Sequence, residues 1–233
     1  MLDQEFKYYL DHQEELLPTY NGKYVMIVGD KVVGACNTIG EAYYAITAWQ
    51  FPGAAMHPGR QRIHSNIPHP IPMNALPYTQ TYPKPALCIS TACKISEPYD
   101  AAMDTEGHPP YIELNAIWDT GAMRSTISTQ IANELGLIPL GQTRVCHADG
   151  ESVCNYYVVN LLLPNKIEIK MLMVNDGRLT DTDMLIGMDV ISMCDFSITS
   201  PAAETKFSFQ VPSTYDIDSR NYKHSQETIV MKK

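Results

Sequence analysis

The chain has 233 residues, 45% of them hydrophobic and 18% charged, with a formal net charge of −9. That is globular composition with enough apolar material for a buried core, and the acidic balance excludes wholesale binding to nucleic-acid phosphates, since no basic field drives counterion release. No run reaches the roughly 18 apolar residues of a membrane span, and the opening MLDQEFKYYLDHQEELL is acidic rather than signal-like.

In chain order, residues 5–17 place Phe6, Tyr9, Leu10, Leu16 and Leu17 at helical spacing, and Pro18 is expected to end that helix. KYVMIVGDKVVGA reads as two short strands joined at Gly29-Asp30. In TIGEAYYAITAWQ, Thr38 and Glu41 form a capping box, and Ala42, Ala45, Ile46 and Trp49 continue one helix face. Residues 1–52 are thus a small α+β module, helix–hairpin–helix, of marginal size by itself. Eight of the 16 prolines fall between Pro52 and Pro85, so residues 53–85 are expected to be an extended Pro-rich linker. His57, His64 and His69 in that segment lack the spacing and carboxylate company of a metal site.

From residue 86 the pattern is mainly β. In YIELNAIW, Ile112, Leu114, Ala116 and Trp118 alternate with the residues of the opposite face. STQIANELGL is a short helix capped by Ser128 or Thr129, with Ile131 and Leu135 facing inward and Gly136 ending it. SVCNYYVVNLLL and KIEIKMLMV are strands, the second with Ile167, Ile169, Met171 and Met173 in strict alternation. DMLIGMDVISMC is a strand that breaks at Gly187 into a helix, and KFSFQV alternates Phe207, Phe209 and Val211. Residues 213–233 form a polar tail expected to be mobile. The six cysteines, Cys36, Cys88, Cys93, Cys146, Cys154 and Cys194, are scattered and contain no C-x-x-C pair, which points to reduced thiols in a cytoplasmic protein.

The chemistry concentrates at AIWDTGAMRSTIS. An apolar strand ends in Asp119, Thr120 offers a hydroxyl, Gly121 is expected to permit a backbone conformation closed to other residues, and Ala122 is small enough for another segment to pass closely. An Asp-Thr-Gly triplet alone is equally an Asx-turn, in which the carboxylate bonds its own backbone. Sixty-odd residues on, Leu185-Ile186-Gly187 opens a second helix, and between the two lies a turn, HADGES, with Ala148, Asp149 and Gly150 at its tip.

In the order and spacing of these motifs, residues 86–212 resemble the retropepsins, the retroviral-type aspartic proteases. The resemblance implies a closed β-barrel acid-protease fold and a homodimeric aspartic endopeptidase in which each subunit contributes one Asp119. Two such carboxylates share a proton, so one acts as base on a water while the other polarises the scissile carbonyl. It implies catalytic roles for Asp119, Thr120 and Gly121, and contacts to an extended peptide from Ala122, Ala148, Asp149, Gly150, Ile186 and Gly187. The turn at Asp149-Gly150 would be the flap and KFSFQV a candidate dimer strand. It implies no cofactor and no metal. Asp104, Asp149, Asp181, Asp183, Asp189 and Asp195 lack the Thr-Gly context. Two departures stand out: Arg124 brings a cation near Asp119, expected to face solvent or pair with an acid such as Asp189, and Met188 stands where some viral members carry an arginine that supports their dimer. The first module resembles a small bacterial module with a Y-x-G-K-[YW]-V run, here Tyr20 to Val25, which implies no activity. The rival reading is a non-catalytic dimeric module that binds a peptide or protein on the same fold.

Overall fold

The computed structural model describes residues 2–48, 55–58, 77–102, 104, 107–147, 150–200 and 203–218. The first helical stretch is two helices, α1 (Asp3–Asp11) and α2 (Gln13–Tyr20), which break at His12. Pro18 lies inside α2 and does not end it. A proline removes only the one bond its own N–H would have made, and the neighbouring bonds persist: the Leu16 amide reaches His12 O at 3.0 Å and the Asn21 amide reaches Leu17 O at 3.0 Å. Strands β1 (Tyr24–Val28) and β2 (Lys31–Cys36) form the expected hairpin, with Val28 opposite Lys31 and Gly29 at φ +60°. α3 (Ile39–Ala48) starts on the expected capping box: the Glu41 amide donates to Thr38 Oγ1 at 3.2 Å, and Glu41 Oε2 accepts from the Asn37 amide at 3.0 Å.

The segment expected to be a linker supplies a strand at each end. β3 (Ala55–Pro58) pairs with β1 to complete a sheet of order β2-β1-β3, and β4 (Tyr78–Tyr82) pairs far along the chain. His64 and His69 lie outside the described residues. The remaining elements are β5 (Ser90–Ser96), β6 (Ile112–Trp118), β7 (Thr126–Ser128), α4 (Thr129–Glu134), β8 (Gly141–His147), β9 (Gly150–Leu162), β10 (Glu168–Gly177), β11 (Met184–Ile186), α5 (Met188–Ile191), β12 (Asp195–Thr199) and β13 (Thr205–Gln210). The chain is mainly β. A large mixed sheet runs β10-β7-β11-β6-β5-β9-β8, and a further β9–β10 pairing links its members back on themselves. A third sheet runs β12-β13-β4. This corrects the expectation for KFSFQV: as β13 it is a central strand whose two hydrogen-bonding edges are taken by β12 and β4 of the same chain.

Two apolar clusters sit on opposite faces of β9 and β10. One, inside the large sheet, holds Ile95, Leu114, Ala116, Ile127, Val159, Leu161, Leu172, Val174, Ile186 and Phe207. The other joins Met26, Ala42 and Ile46 of the first module to Leu140, Tyr156, Val158 and Met171 of the sheet. Because both faces are covered, residues 156–161 of β9 are buried without alternation. In β10 the expected strict alternation fails at Met171, which has φ +51° where the register with β9 shifts between Ile169 and Leu172. This bulge puts Ile167, Ile169, Leu172 and Val174 in the inner cluster and Met171 in the outer one, so one strand serves both. Trp49, expected on the α3 face, is outside the described residues. The start of the expected tail is held: the Asp195 carboxylate accepts from the Ser213 hydroxyl and from the Thr214 and Tyr215 amides at 2.6 and 2.8 Å.

Candidate active site

β6 delivers Asp119 from an anchored end. Trp118 is buried, its indole Nε1 donates to Thr91 Oγ1 at 2.9 Å, and its ring lies 4.7 Å from that of Phe209 and 5.0 Å from that of Phe207. β11 then threads between β6, to which it is parallel, and β7, to which it is antiparallel. Its start is locked: the Asn115 amide donates to Asp183 Oδ2 at 2.8 Å, the Ser128 amide to Asp183 O at 2.8 Å, and the Thr182 hydroxyl to Asn115 O at 2.9 Å. Its end meets the loop, where the Asp119 amide donates to Ile186 O at 2.9 Å and the Met188 amide to Ala122 O at 2.8 Å.

The loop itself is an Asx-turn: the Gly121 amide donates to Asp119 Oδ1 at 2.8 Å. The turn reading and the site reading therefore describe the same geometry, since the bond fixes one carboxylate oxygen and no described residue donates to Oδ2. Asp119 is half-buried, and Thr120 and Gly121 are exposed. Gly121 does not need a left-handed backbone, contrary to expectation. The space there is tight instead, for a Cβ would stand 3.1 Å from Asp119 Oδ1 and would press on the carboxylate. Gly187 is tighter still. A Cβ would lie 2.6 Å from the Arg124 carbonyl carbon, so only glycine lets α5 start against the loop.

Behind the loop is a latch built on Ser125 and Asp189. The Ser125 hydroxyl donates to Asp189 Oδ1 at 2.8 Å and accepts from the Gly187 amide at 3.0 Å, while the Ser125 amide donates to the same carboxylate at 2.9 and 3.0 Å. Burial pushes the Asp189 carboxyl above its usual range, and the Ser125 amide and hydroxyl, the Arg124 charge and the Val190 amide offset part of that rise. Ser125 was not singled out in the sequence. The legible signal was a small hydroxyl residue following the loop at a point where a glycine strand passes.

Arg124 neither faces solvent freely nor forms a described ion pair with Asp189. It turns inward, donates to Met173 Sδ, and its charge acts on the Tyr24 and Tyr156 phenols and the Cys154 thiol. Asp119 is left without an adjacent cation among the described residues. Of the expected site residues, Asp119, Thr120, Gly121, Ala122, Ile186 and Gly187 are gathered here. The Ile186 side chain is wholly buried, so it offers the site only its backbone. Ala148 and Asp149 lie outside the described residues. Gly150 opens β9 at φ +127°, opposite His147, at the far end of the β8–β9 hairpin. The root of that hairpin is tied down by Asp176, whose Oδ1 accepts from the Asn155 amide at 2.9 Å and whose Oδ2 accepts from the Tyr157 hydroxyl at 3.3 Å. Among the described residues no group of histidine, cysteine and acidic side chains is arranged to hold a metal ion, and no helix is long and apolar enough to cross a membrane.

A family model described as aspartyl protease matches residues 103–190. Among solved structures the chain is similar to a retropepsin-like aspartic protease from Rickettsia conorii, with 9% identity, 59% of this chain and 96% of that chain covered, and a TM-score of 0.38. No curated protein matches the chain. The Asp119 loop, the threaded β11 and the Ser125–Asp189 latch all fall inside the segment that the aspartyl-protease family model matches.

Proposed function

We propose that the chain is an aspartic endopeptidase that works as a homodimer, with one Asp119 from each copy. The observation that supports this most directly is the placement of a single half-exposed carboxylate on a rigid loop pinned by Ile186 O and the Ser125–Asp189 latch. One such carboxylate cannot both activate water and polarise a carbonyl. Two related by a two-fold axis would share a proton, titrate as a unit and divide those roles. Thr120 and Gly121 would bring the two loops together, and Ala122 and Gly187 would line the approach of an extended peptide. The β8–β9 hairpin would close over that peptide with Ala148, Asp149 and Gly150 at its tip, excluding water and pairing through the main chain. On this reading residues 86–212 form the protease domain, with β4 carried over from the 53–85 segment, and the first module packs on the outer face of its sheet through Met26, Ala42 and Ile46.

The test is digestion of a diverse denatured-peptide mixture between about pH 4 and 8, read by mass spectrometry, with Asp119→Asn in parallel. Loss of the acid–base pair should lower cleavage by at least about a hundredfold. Products that persist in Asp119→Asn would remove the assignment. A dimer that yields no products at any pH would instead favour the non-cleaving peptide-binding reading.

A further inference from the structure

Arg124 occupies a setting that ion pairing does not explain. The chain carries 26 acidic residues against 17 lysines and arginines, yet Arg124 forms no ion pair among the described residues. Asp189, the acid packed against its segment, is already engaged. Its Oδ1 accepts from the Ser125 hydroxyl at 2.8 Å and the Val190 amide at 3.0 Å, and its Oδ2 accepts from the Ser125 amide at 2.9 Å. The guanidinium instead donates to Met173 Sδ, a weak acceptor on β10. Met173 packs against the cluster that the first module shares with the sheet, as does Tyr24 of β1. The backbone nevertheless leaves Arg124 within reach of Asp119, because both touch consecutive residues of one segment. The Asp119 amide donates to Ile186 O at 2.9 Å, and the Arg124 carbonyl carbon lies 2.6 Å from where a Cβ of Gly187 would stand. Consecutive Cα atoms are about 3.8 Å apart, so little more than the length of an arginine side chain separates the two backbones. A guanidinium swung out to Asp119 would favour ionised carboxylates, and a pair that must keep one shared proton would lose it at lower pH.

Resting on the homodimeric protease reading above, we propose that Met173 is a positioning residue: it holds the Arg124 guanidinium inside the chain, away from the two Asp119 carboxylates, so that the pair keeps its shared proton. Leucine in its place fills similar space but accepts no hydrogen bond. A part-buried donor is then left unsatisfied, which drives the guanidinium out toward the loop. The titratable groups on which the inward guanidinium acts are Tyr24 of β1, Cys154 and Tyr156 of β9 and Asp189 of α5. Burial raises both phenols and also the Cys154 thiol, the latter to about 11. All three therefore stay neutral below about pH 8, and of the four only Asp189 can change charge in the acid range. The Asp119 carboxylate itself accepts only from the Gly121 amide among the described residues. The first module thereby stands behind the pH range of cleavage, because Met173 packs against the cluster that module shares with the sheet.

The experiment is the pH dependence of kcat/KM, between about pH 4 and 8, for a peptide that the wild type cleaves. Full-length wild type, Met173→Leu, Arg124→Met and the double variant are compared. Met173→Leu conserves volume and apolar character, so the fold tolerates it. In Met173→Leu the alkaline limb should move down by at least about half a pH unit, since a cation beside the pair releases the shared proton earlier. The double variant should return the limb to its wild-type position, because no cation remains to approach the pair, and Arg124→Met alone should keep it there. A merely structural role for Met173 would lower the rate at every pH and leave the limb in place. A limb that does not move in Met173→Leu, or that stays shifted once Arg124 is also replaced, overturns this inference while the protease reading stands. A wild type that cleaves nothing, or cleavage that survives Asp119→Asn, overturns the protease reading and this inference with it.

Discussion

At the scale of single residues, the Asp119 loop depends on groups packed behind it. Ser125 satisfies two partners at once, a buried carboxylate and the amide of a glycine that tolerates no side chain. Ser125→Ala leaves both without their hydroxyl and is expected to cost about 1–3 kcal/mol of stability, measured by chemical denaturation. Gly187→Ala puts a methyl group 2.6 Å from the Arg124 carbonyl carbon. The backbone must move, so a loss of about 1–3 kcal/mol together with lower cleavage is expected, and an unchanged stability would disprove the packing argument. Asp189 gives a pH signature. Its carboxyl is raised by burial, so its contribution to stability is greatest in acid, where it is protonated, and is lost as pH rises through the folded value. Wild type should therefore gain stability relative to Asp189→Asn on going from neutral toward about pH 4, a trend that paired urea titrations would reveal or refute.

At the scale of elements, the first module and the large sheet share one apolar cluster. Ile46 comes from α3 and Leu140 from the segment leading into β8, and both are almost fully buried within it. Ile46→Ala and Leu140→Ala should each cost about 2–5 kcal/mol, and the double variant should deviate from additivity because the two cavities lie in one cluster. Strict additivity would mean that the module and the sheet are energetically separate. Tyr156 is a case of opposite sign. Its hydroxyl is buried with no hydrogen-bond partner among the described residues, and burial drives its pKa upward. Tyr156→Phe removes an unsatisfied group at little cost in shape, so the variant is expected to match or exceed wild type by up to about 1 kcal/mol in thermal denaturation.

At the scale of the whole molecule, acid stability is set by carboxylates whose shifts oppose that of Asp189. Burial alone would raise the Asp195 carboxyl, but the Ser213 hydroxyl and the Thr214 and Tyr215 amides outweigh it and hold the group below its usual range. Burial likewise acts on Glu168, and the Tyr111 hydroxyl and the His108 ring outweigh it there. Both contributions are present above the unfolded carboxyl value and are lost as pH falls through the lower folded ones. Stability should thus hold as pH drops from neutral to mildly acidic and fall steeply only below about pH 4, which a series of melting curves would show. Asp195→Asn should blunt the acid limb of that profile.

What the sequence determined by itself was local. Alternation placed Leu114, Ala116 and Trp118 inside, a capping box placed the start of α3, and the triplet at Asp119 with Leu185-Ile186-Gly187 marked two segments that the fold hydrogen-bonds together. Each of these signals is carried by residues a few positions apart and by the chemistry of their own backbone. The tertiary structure decided whatever depended on a distant neighbour. Strict alternation in β10 gave way to a bulge because that strand serves two clusters. KFSFQV became a central strand because β4, from the proline-rich segment, occupies its second edge. Arg124 turned inward onto Met173 of β10, and Gly121 sits close against the Asp119 carboxylate rather than in a left-handed backbone. A side chain's period along the chain reports which face it shares with its neighbours. It carries no record of what will be packed against that face, and only the folded chain settles that.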